Sequence, residues 1–151
     1  MGETAPAPTR PILRHAEGRA DLAACFAVMR ELRPHLAGAA EFVERAERQS
    51  DAGYRILAAW NGDKVVGVAG YRPQENLIYG RFMYVDDLAV IASDRRGGIG
   101  ARLLDGVREE CRRMGIPTLV LDTAIDNSLG QRFYFRYGML ARGLRFSRPV
   151  R

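Results

Sequence analysis

Arg95-Arg96-Gly97-Gly98-Ile99-Gly100-Ala101 lies between the apolar and acidic run 83–90 and the apolar-periodic segment 99–114. A strand therefore feeds a glycine-rich turn that becomes a helix N-terminus. Glycines at 97, 98 and 100 remove side chains where a ligand must approach the backbone. The unpaired N–H groups and the positive end of the helix dipole then face a diphosphate, and Arg95 and Arg96 add charge. Two other phosphate cradles are excluded. Leu103 follows Gly98-Ile99-Gly100 where a dinucleotide fingerprint needs its third glycine, and the Gly-Lys-Ser/Thr of a P-loop is missing.

Two flanking stretches narrow the reading. Upstream is Tyr84-Val85-Asp86-Asp87-Leu88-Ala89-Val90; downstream is Asn127-Ser128-Leu129-Gly130-Gln131-Arg132-Phe133-Tyr134-Phe135-Arg136-Tyr137-Gly138-Met139. Over residues 12–148 the chain resembles the GNAT superfamily of acetyl-CoA-dependent N-acyltransferases. The family's RxxGxG turn matches Arg95, Gly98 and Gly100, and its N...FY...G segment matches Asn127, Phe133, Tyr134 and Gly138. Gly130 and Met139 depart from the pattern, standing where the family often has alanine and phenylalanine. The resemblance implies a single-domain α/β (mixed α+β) fold: a central, mostly antiparallel mixed sheet flanked by about four helices, spanning residues 11–151 after a disordered tail at 1–10.

Composition agrees with one domain. The chain has 151 residues, 47% of them hydrophobic, enough to bury a core of its own. No apolar stretch is long enough to span a membrane. The first ten residues, MGETAPAPTR, lack the apolar centre of a signal peptide, and Pro6 breaks the myristoylation pattern, so a cytoplasmic location is expected. Cys25 and Cys111 each fall on an apolar helical face and are expected to be buried, reduced thiols. The net charge of +5 is uneven: after Asp126 come Arg132, Arg136, Arg142, Arg145, Arg148 and Arg151 with no acid. That basic end suits solubility, the cofactor's phosphates or an acidic partner. No nucleic-acid motif accompanies it.

Asp21 is expected to cap a first helix through Leu32, and a second covers 39–49. Strands at 54–60 and 64–71 join at Asn61-Gly62-Asp63. The run 77–90 is too long for an uninterrupted strand and predicts a bend or bulge. Ile99, Leu103, Val107, Cys111 and Met114 recur at helical spacing, and Gly115 and Pro117 end that helix. A buried strand at 118–122, a helix at 128–137 and one or two closing strands within 140–147 complete the chain.

Acyl transfer to an amine needs proton removal from the acceptor, a polarised carbonyl and a proton for the departing thiolate. A lysine-like ammonium of pKa about 10.4 is protonated at neutral pH, so a nearby carboxylate would help remove its proton, directly or through water. Asp86 is the first candidate, since the resemblance implies a base about nine residues before the motif arginine; Asp87 competes. Strand periodicity sends adjacent side chains to opposite faces unless the strand bulges. The resemblance implies Tyr134 as proton donor to the thiolate. It also implies acetyl-CoA binding by the backbone of Leu88, Ala89 and Val90, by Arg95, Arg96, Gly97, Gly98, Ile99, Gly100 and Ala101, and by Asn127, Tyr134 and Arg136. Arg33, His35, Tyr79, Arg81, Tyr84 and Asp87 are candidates to line the acceptor pocket. No metal is expected. Partners are expected to be a small-molecule or protein amine, without nucleic acid or membrane, and a homodimer is left open. A catalytically weak acyl-CoA sensor is the alternative reading.

Overall fold

A computed structural model describes residue 2, residues 10–95 and residues 97–151. Most of the expected tail, and Arg96 of the turn, lie outside the described residues. The chain forms two compact units, Met1–Val120 and Leu121–Arg151.

The first unit is built on a sheet. Strand β1 (Ile12–His15) precedes helices α1 (Gly18–Leu32) and α2 (Ala39–Ser50); β2 (Arg55–Asn61), β3 (Lys64–Asn76) and β4 (Gly80–Val90) follow, then a one-turn 3-10 helix (Ala92–Asp94), α3 (Ile99–Met114) and β5 (Leu119–Leu121). The five strands lie in sequence order. The first three pairings are antiparallel, and the helical crossover from β4 to β5 makes the sheet mixed. On one face Cys25, Val28, Met29, Phe42, Val43 and Ala46 of α1 and α2 pack on Tyr54, Ile56, Ala58, Trp60, Val65 and Val68. Leu103, Leu104 and Val107 of α3 are fully buried. Such apolar stripes at helical spacing are what hold an amphipathic helix to a sheet.

Several boundaries differ from expectation for local reasons. Helix α1 starts at Gly18 rather than at Asp21: the Asp21 carboxylate reaches back from within the first turn to accept the Glu17 N–H at 2.9 Å and the Arg14 guanidinium at 2.8 Å. Strand β3 runs on to Asn76, whose side chain accepts from the amides of Ile78 and Tyr79 and closes the turn into β4. The expected bulge is present. Gly70 pairs with Asp87 and Tyr71 with Val85, leaving Asp86 as the extra residue. Strand β5 is shorter than expected and half-buried.

In the second unit, α4 (Ser128–Tyr137) starts and ends where the sequence predicts. The closing strands within 140–147 do not form: residues 139–151 adopt neither helix nor strand. A strand exists only through a ladder partner, and Leu140, Leu144 and Phe146 stand exposed instead. Both cysteines are buried and unbridged, and burial pushes the Cys25 thiol up to about 12. Among the described residues no helix is long and apolar enough to cross a membrane.

Candidate active site

The bulge in β4 brings two adjacent carboxylates into one polar cluster. Without it, Asp86 and Asp87 would point to opposite faces of the sheet. Asp87 accepts a 2.6 Å hydrogen bond at Oδ2 from the Tyr54 hydroxyl, and Arg33 Nε donates to Oδ1 at 3.0 Å. Both of its oxygens are therefore engaged, and its side chain is only 13% exposed. Asp86 is held differently. Arg72 Nε donates to Oδ2 at 3.0 Å, and that side chain is 24% exposed. Burial raises the Asp86 pKa from the ordinary carboxylate value, and the neighbouring Arg72 guanidinium only partly opposes the shift. Arg72 is itself fixed by a short hydrogen bond to Gln49 Oε1 and by the Tyr54 ring, 5.1 Å from its guanidinium carbon.

Tyr54, Arg72 and Gln49 were not among the residues singled out from the sequence. Tyr54 precedes β2, Arg72 lies beyond the expected end of β3, and Gln49 closes α2. Strand register brings Tyr54 and Arg72 beside Asp87 and Asp86, and Gln49 reaches Arg72 from α2. Burial and the Asp87 charge both hold the Tyr54 phenol protonated, with its pKa well above the ordinary value, so its hydroxyl serves as a permanent donor.

The glycine turn has the form expected of an anion cradle. Gly98 is the N-cap of α3, with φ of 75°, and no side chain caps the helix. A Cβ on Gly98 would meet nothing within 4 Å, so the space before the helix is open. The first turn of α3 holds no acid, which leaves its orphan amides and the dipole uncompensated. Arg95 Nε donates to the Val90 carbonyl at 3.2 Å, and its guanidinium lies 3.7 Å from Glu31. The side chain is 62% exposed, so it borders the turn without being locked in place. Ile99 is buried and anchors the helix start; Gly100 is half-buried. Leu88, Ala89 and Val90 pair with Ala69, Val68 and Gly67 of β3. These residues fit a phosphate-bearing cofactor: a Cβ-free cradle, uncapped amides and an adjacent arginine.

In the second unit, Asn127 is the N-cap of α4. Its side chain accepts from the Gly130 amide at 3.1 Å and donates to Thr123 Oγ1 at 3.0 Å. A Cβ on Gly130 would overlap that side-chain amide, which explains the departure from alanine at this position. Tyr134 is half-buried against Phe133, ring centroids 5.3 Å apart, and burial raises its pKa. The phenol thus stays protonated through neutral pH. Arg136 lies in a shallow open depression of about 600 Å³ shared with Ser128, Gln131, Arg132 and Phe135.

The remaining acceptor-side candidates are spread out. Arg33 meets Asp86 and Asp87; Tyr84 stands opposite Arg72 in the ladder. His35 is exposed in the α1–α2 connection. Tyr79 packs tilted against Phe82, ring centroids 5.4 Å apart, and Arg81 reaches the Met114 carbonyl at 3.4 Å. Among the described residues no group of three His, Cys, Asp or Glu is placed to hold a metal.

This sheet, its bulged fourth strand and the uncapped helix after it place the chain in a known class. The model of the Acetyltransferase (GNAT) family matches residues 17–139, and the chain belongs to that family. Its reaction, in general form, is acyl-CoA-dependent N-acetyl transfer. A curated Bacillus subtilis (strain 168) relative, the uncharacterized N-acetyltransferase YhdJ, is 23% identical over 141 residues, covering 91% of this chain and 98% of that one. Among solved structures, the aminoglycoside N-acetyltransferase AAC(6')-Iy in complex with CoA superposes with a TM-score of 0.80 at 16% identity, over 95% of this chain and 98% of that one. The glucosamine-6-phosphate N-acetyltransferase of Arabidopsis thaliana gives 0.76 at 17%, covering 95% and 100%. At these identities the superpositions speak for the fold.

Proposed function

We propose that the protein transfers an acetyl group from acetyl-CoA to a primary amine of a small-molecule acceptor, by direct attack while both substrates are bound. The observation that carries this reading is the bulge at Asp86, which presents a carboxylate with a raised pKa at the polar centre of the sheet. A base with a pKa moved toward neutrality is a better match for removing a proton from an ammonium of pKa about 10.4 than an ordinary carboxylate. Acetyl-CoA supplies the activated thioester.

The chain's own groups do the rest. The amides of Gly98 to Ala101 with Arg95 and Arg96 hold the diphosphate. The backbone of Leu88, Ala89 and Val90 orients the pantetheine arm and polarises the carbonyl. Asn127 and Arg136 are the further candidates for cofactor contacts. Asp86 takes the acceptor's proton, directly or through one water, and the Tyr134 hydroxyl donates to the leaving sulfur. Direct attack is supported by a fold relative, AAC(6')-Iy, whose structure has been solved with a bisubstrate analog joining CoA to acetylneamine. A compound uniting both substrates is bound there as one ligand.

The test is free-thiol release from acetyl-CoA across a panel of aminoglycosides, amino sugars, amino acids, polyamines and a lysine peptide. At least one acceptor should drive release above the slow background hydrolysis. Saturable acetyl-CoA binding with no acceptor-dependent release across the panel would instead establish an acyl-CoA sensor.

A further inference from the structure

We propose that Arg33 is a positioning residue for this transfer: from the end of α1 it pins the β4 bulge by bridging the Asp86 carbonyl and the Asp87 carboxylate, so that Asp86 is the carboxylate left to meet the acceptor amine. The proposal rests on the acetyl-transfer reading given above.

A bulge costs the strand ladder hydrogen bonds, and its extra residue needs another means of support. Arg33 supplies one. Its Nη2 donates to the Asp86 carbonyl at 2.8 Å, while Nε and Nη2 lie 3.0 and 2.9 Å from Asp87 Oδ1. The planar fork reaches two consecutive residues of the bulged strand at once, which a lysine ammonium does with difficulty. The base of the fork is itself fixed. Arg33 is the C-cap residue of α1, its amide bonded to the Met29 carbonyl at 2.8 Å, and Met29 is buried in the core. The opposite side of Asp87 is closed by Tyr54, whose hydroxyl occupies Oδ2.

The two carboxylates thus have different work. Asp87 has both oxygens engaged, by Arg33 and Tyr54, and anchors the strand to α1. Asp86, offset by the bulge, contacts Arg72 at Oδ2 and is the more exposed of the two. Helix α1 sets the depth at which that carboxylate sits.

Arg33→Met and Arg33→Lys test the assignment, with acetyl-CoA affinity measured by calorimetry, turnover by thiol release with the best acceptor of the panel, and the melting temperature of each variant. The Arg33 side chain is 41% exposed, so both variants are expected to fold. For Arg33→Met, kcat should fall by roughly 10²-fold, the scale of a small misplacement of a reacting group, while acetyl-CoA affinity changes by less than about twofold. Arg33 helps hold the Asp86 pKa down, so the acidic limb of the kcat profile should move to higher pH. Arg33→Lys should recover part of kcat and most of the limb position. A rise in acceptor KM with kcat unchanged would overturn the proposal by making Arg33 a direct acceptor contact. So would a lowered melting temperature with kcat and its pH limb unmoved. Absence of acceptor-dependent release by the wild-type protein would remove the acetyl-transfer reading itself, a distinct outcome.

Discussion

The Tyr54 hydroxyl donates to Asp87 Oδ2 at 2.6 Å through space that exists because residue 70, opposite Asp87 in the ladder, has no side chain. A Cβ on Gly70 would overlap that hydroxyl and stand 2.6 Å from the ring carbon bearing it and 2.8 Å from Asp87 Oδ2. The glycine is therefore part of the architecture around Asp87. Gly70→Ala should destabilise the protein by about 1–3 kcal/mol, the range for overpacking a well-filled interior. In a Tyr54→Phe background the penalty should shrink by at least about 0.5 kcal/mol, because the nearest clashing atom is gone. Denaturant unfolding of the four proteins of that cycle measures it, and additive effects would contradict the overlap.

The cradle makes a prediction about binding. Gly98 has a φ of 75°, a conformation that a β-branched residue adopts only with strain of about 1–3 kcal/mol. Valine there must either pay that strain or shift the start of α3. Combined with Arg95→Ala, Gly98→Val should weaken acetyl-CoA binding at least about tenfold, roughly 1.4 kcal/mol or more. Calorimetric titration decides it, and unchanged affinity in the double variant would remove the turn from the cofactor site.

His15 carries a pH dependence of stability. Its Nε2 lies 2.5 Å from the Tyr71 hydroxyl, and burial lowers its pKa below 6.5, with Arg55 reinforcing the shift and Glu110 and Glu17 opposing it. Between the folded and unfolded pKa values the unfolded chain binds more protons. Stability is therefore full above about pH 6.5 and declines as pH falls from there through the folded pKa. His15→Gln should flatten the melting temperature between pH 7 and 5.5 relative to wild type. Parallel melting curves for the two proteins over that range would show that His15 does not titrate differently on folding.

Asp86 separates function from stability. Its raised pKa means the folded state disfavours the ionised form, so its contribution to stability falls as pH rises from 3.8 through the folded pKa. Asp86→Asn should therefore melt no lower than wild type at neutral pH. Turnover should fall instead, most at pH values above the folded Asp86 pKa, where the wild-type carboxylate is ionised while the acceptor is still an ammonium; below that pKa the wild-type carboxylate is protonated too and the two proteins should converge. A variant that is both less stable and fully active would reverse the assignment.

The legible parts of the sequence were those where local chemistry decides. Gly115 and Gly138 both adopt positive φ just past their helices, and α3 and α4 start and end where apolar spacing and capping residues place them. The β4 bulge could be anticipated from strand length, but its position could not. Which residue is skipped depends on how Gly70 and Tyr71 pair across the ladder, a relation between strands rather than within one. The same holds for Arg72 and Tyr54, which reach Asp86 and Asp87, and for Gln49, which holds Arg72; the three share no sequence spacing. The C-terminal residues show the converse: one or two strands are expected within 140–147, yet with no ladder partner among the described residues none forms.

Tyr134 provides the sharpest test of chemistry. Burial raises its pKa, which widens the gap to a thiol of about 8.5 beyond the roughly 1.5 units separating the two free groups. Proton donation is then favourable only as charge develops on the departing sulfur within the same water-poor surroundings, where the thiolate is destabilised as well. Tyr134→Phe keeps the ring that packs on Phe133 and deletes only the hydroxyl. Acetyl-CoA affinity should survive, while turnover falls by roughly 10²- to 10⁴-fold, the range of general acid catalysis. A solvent isotope effect on kcat present in wild type should diminish in the variant, because no side-chain proton then moves in the limiting step. Near-normal turnover at saturating substrates, with chemistry shown to limit the wild-type rate, would assign the proton to water instead.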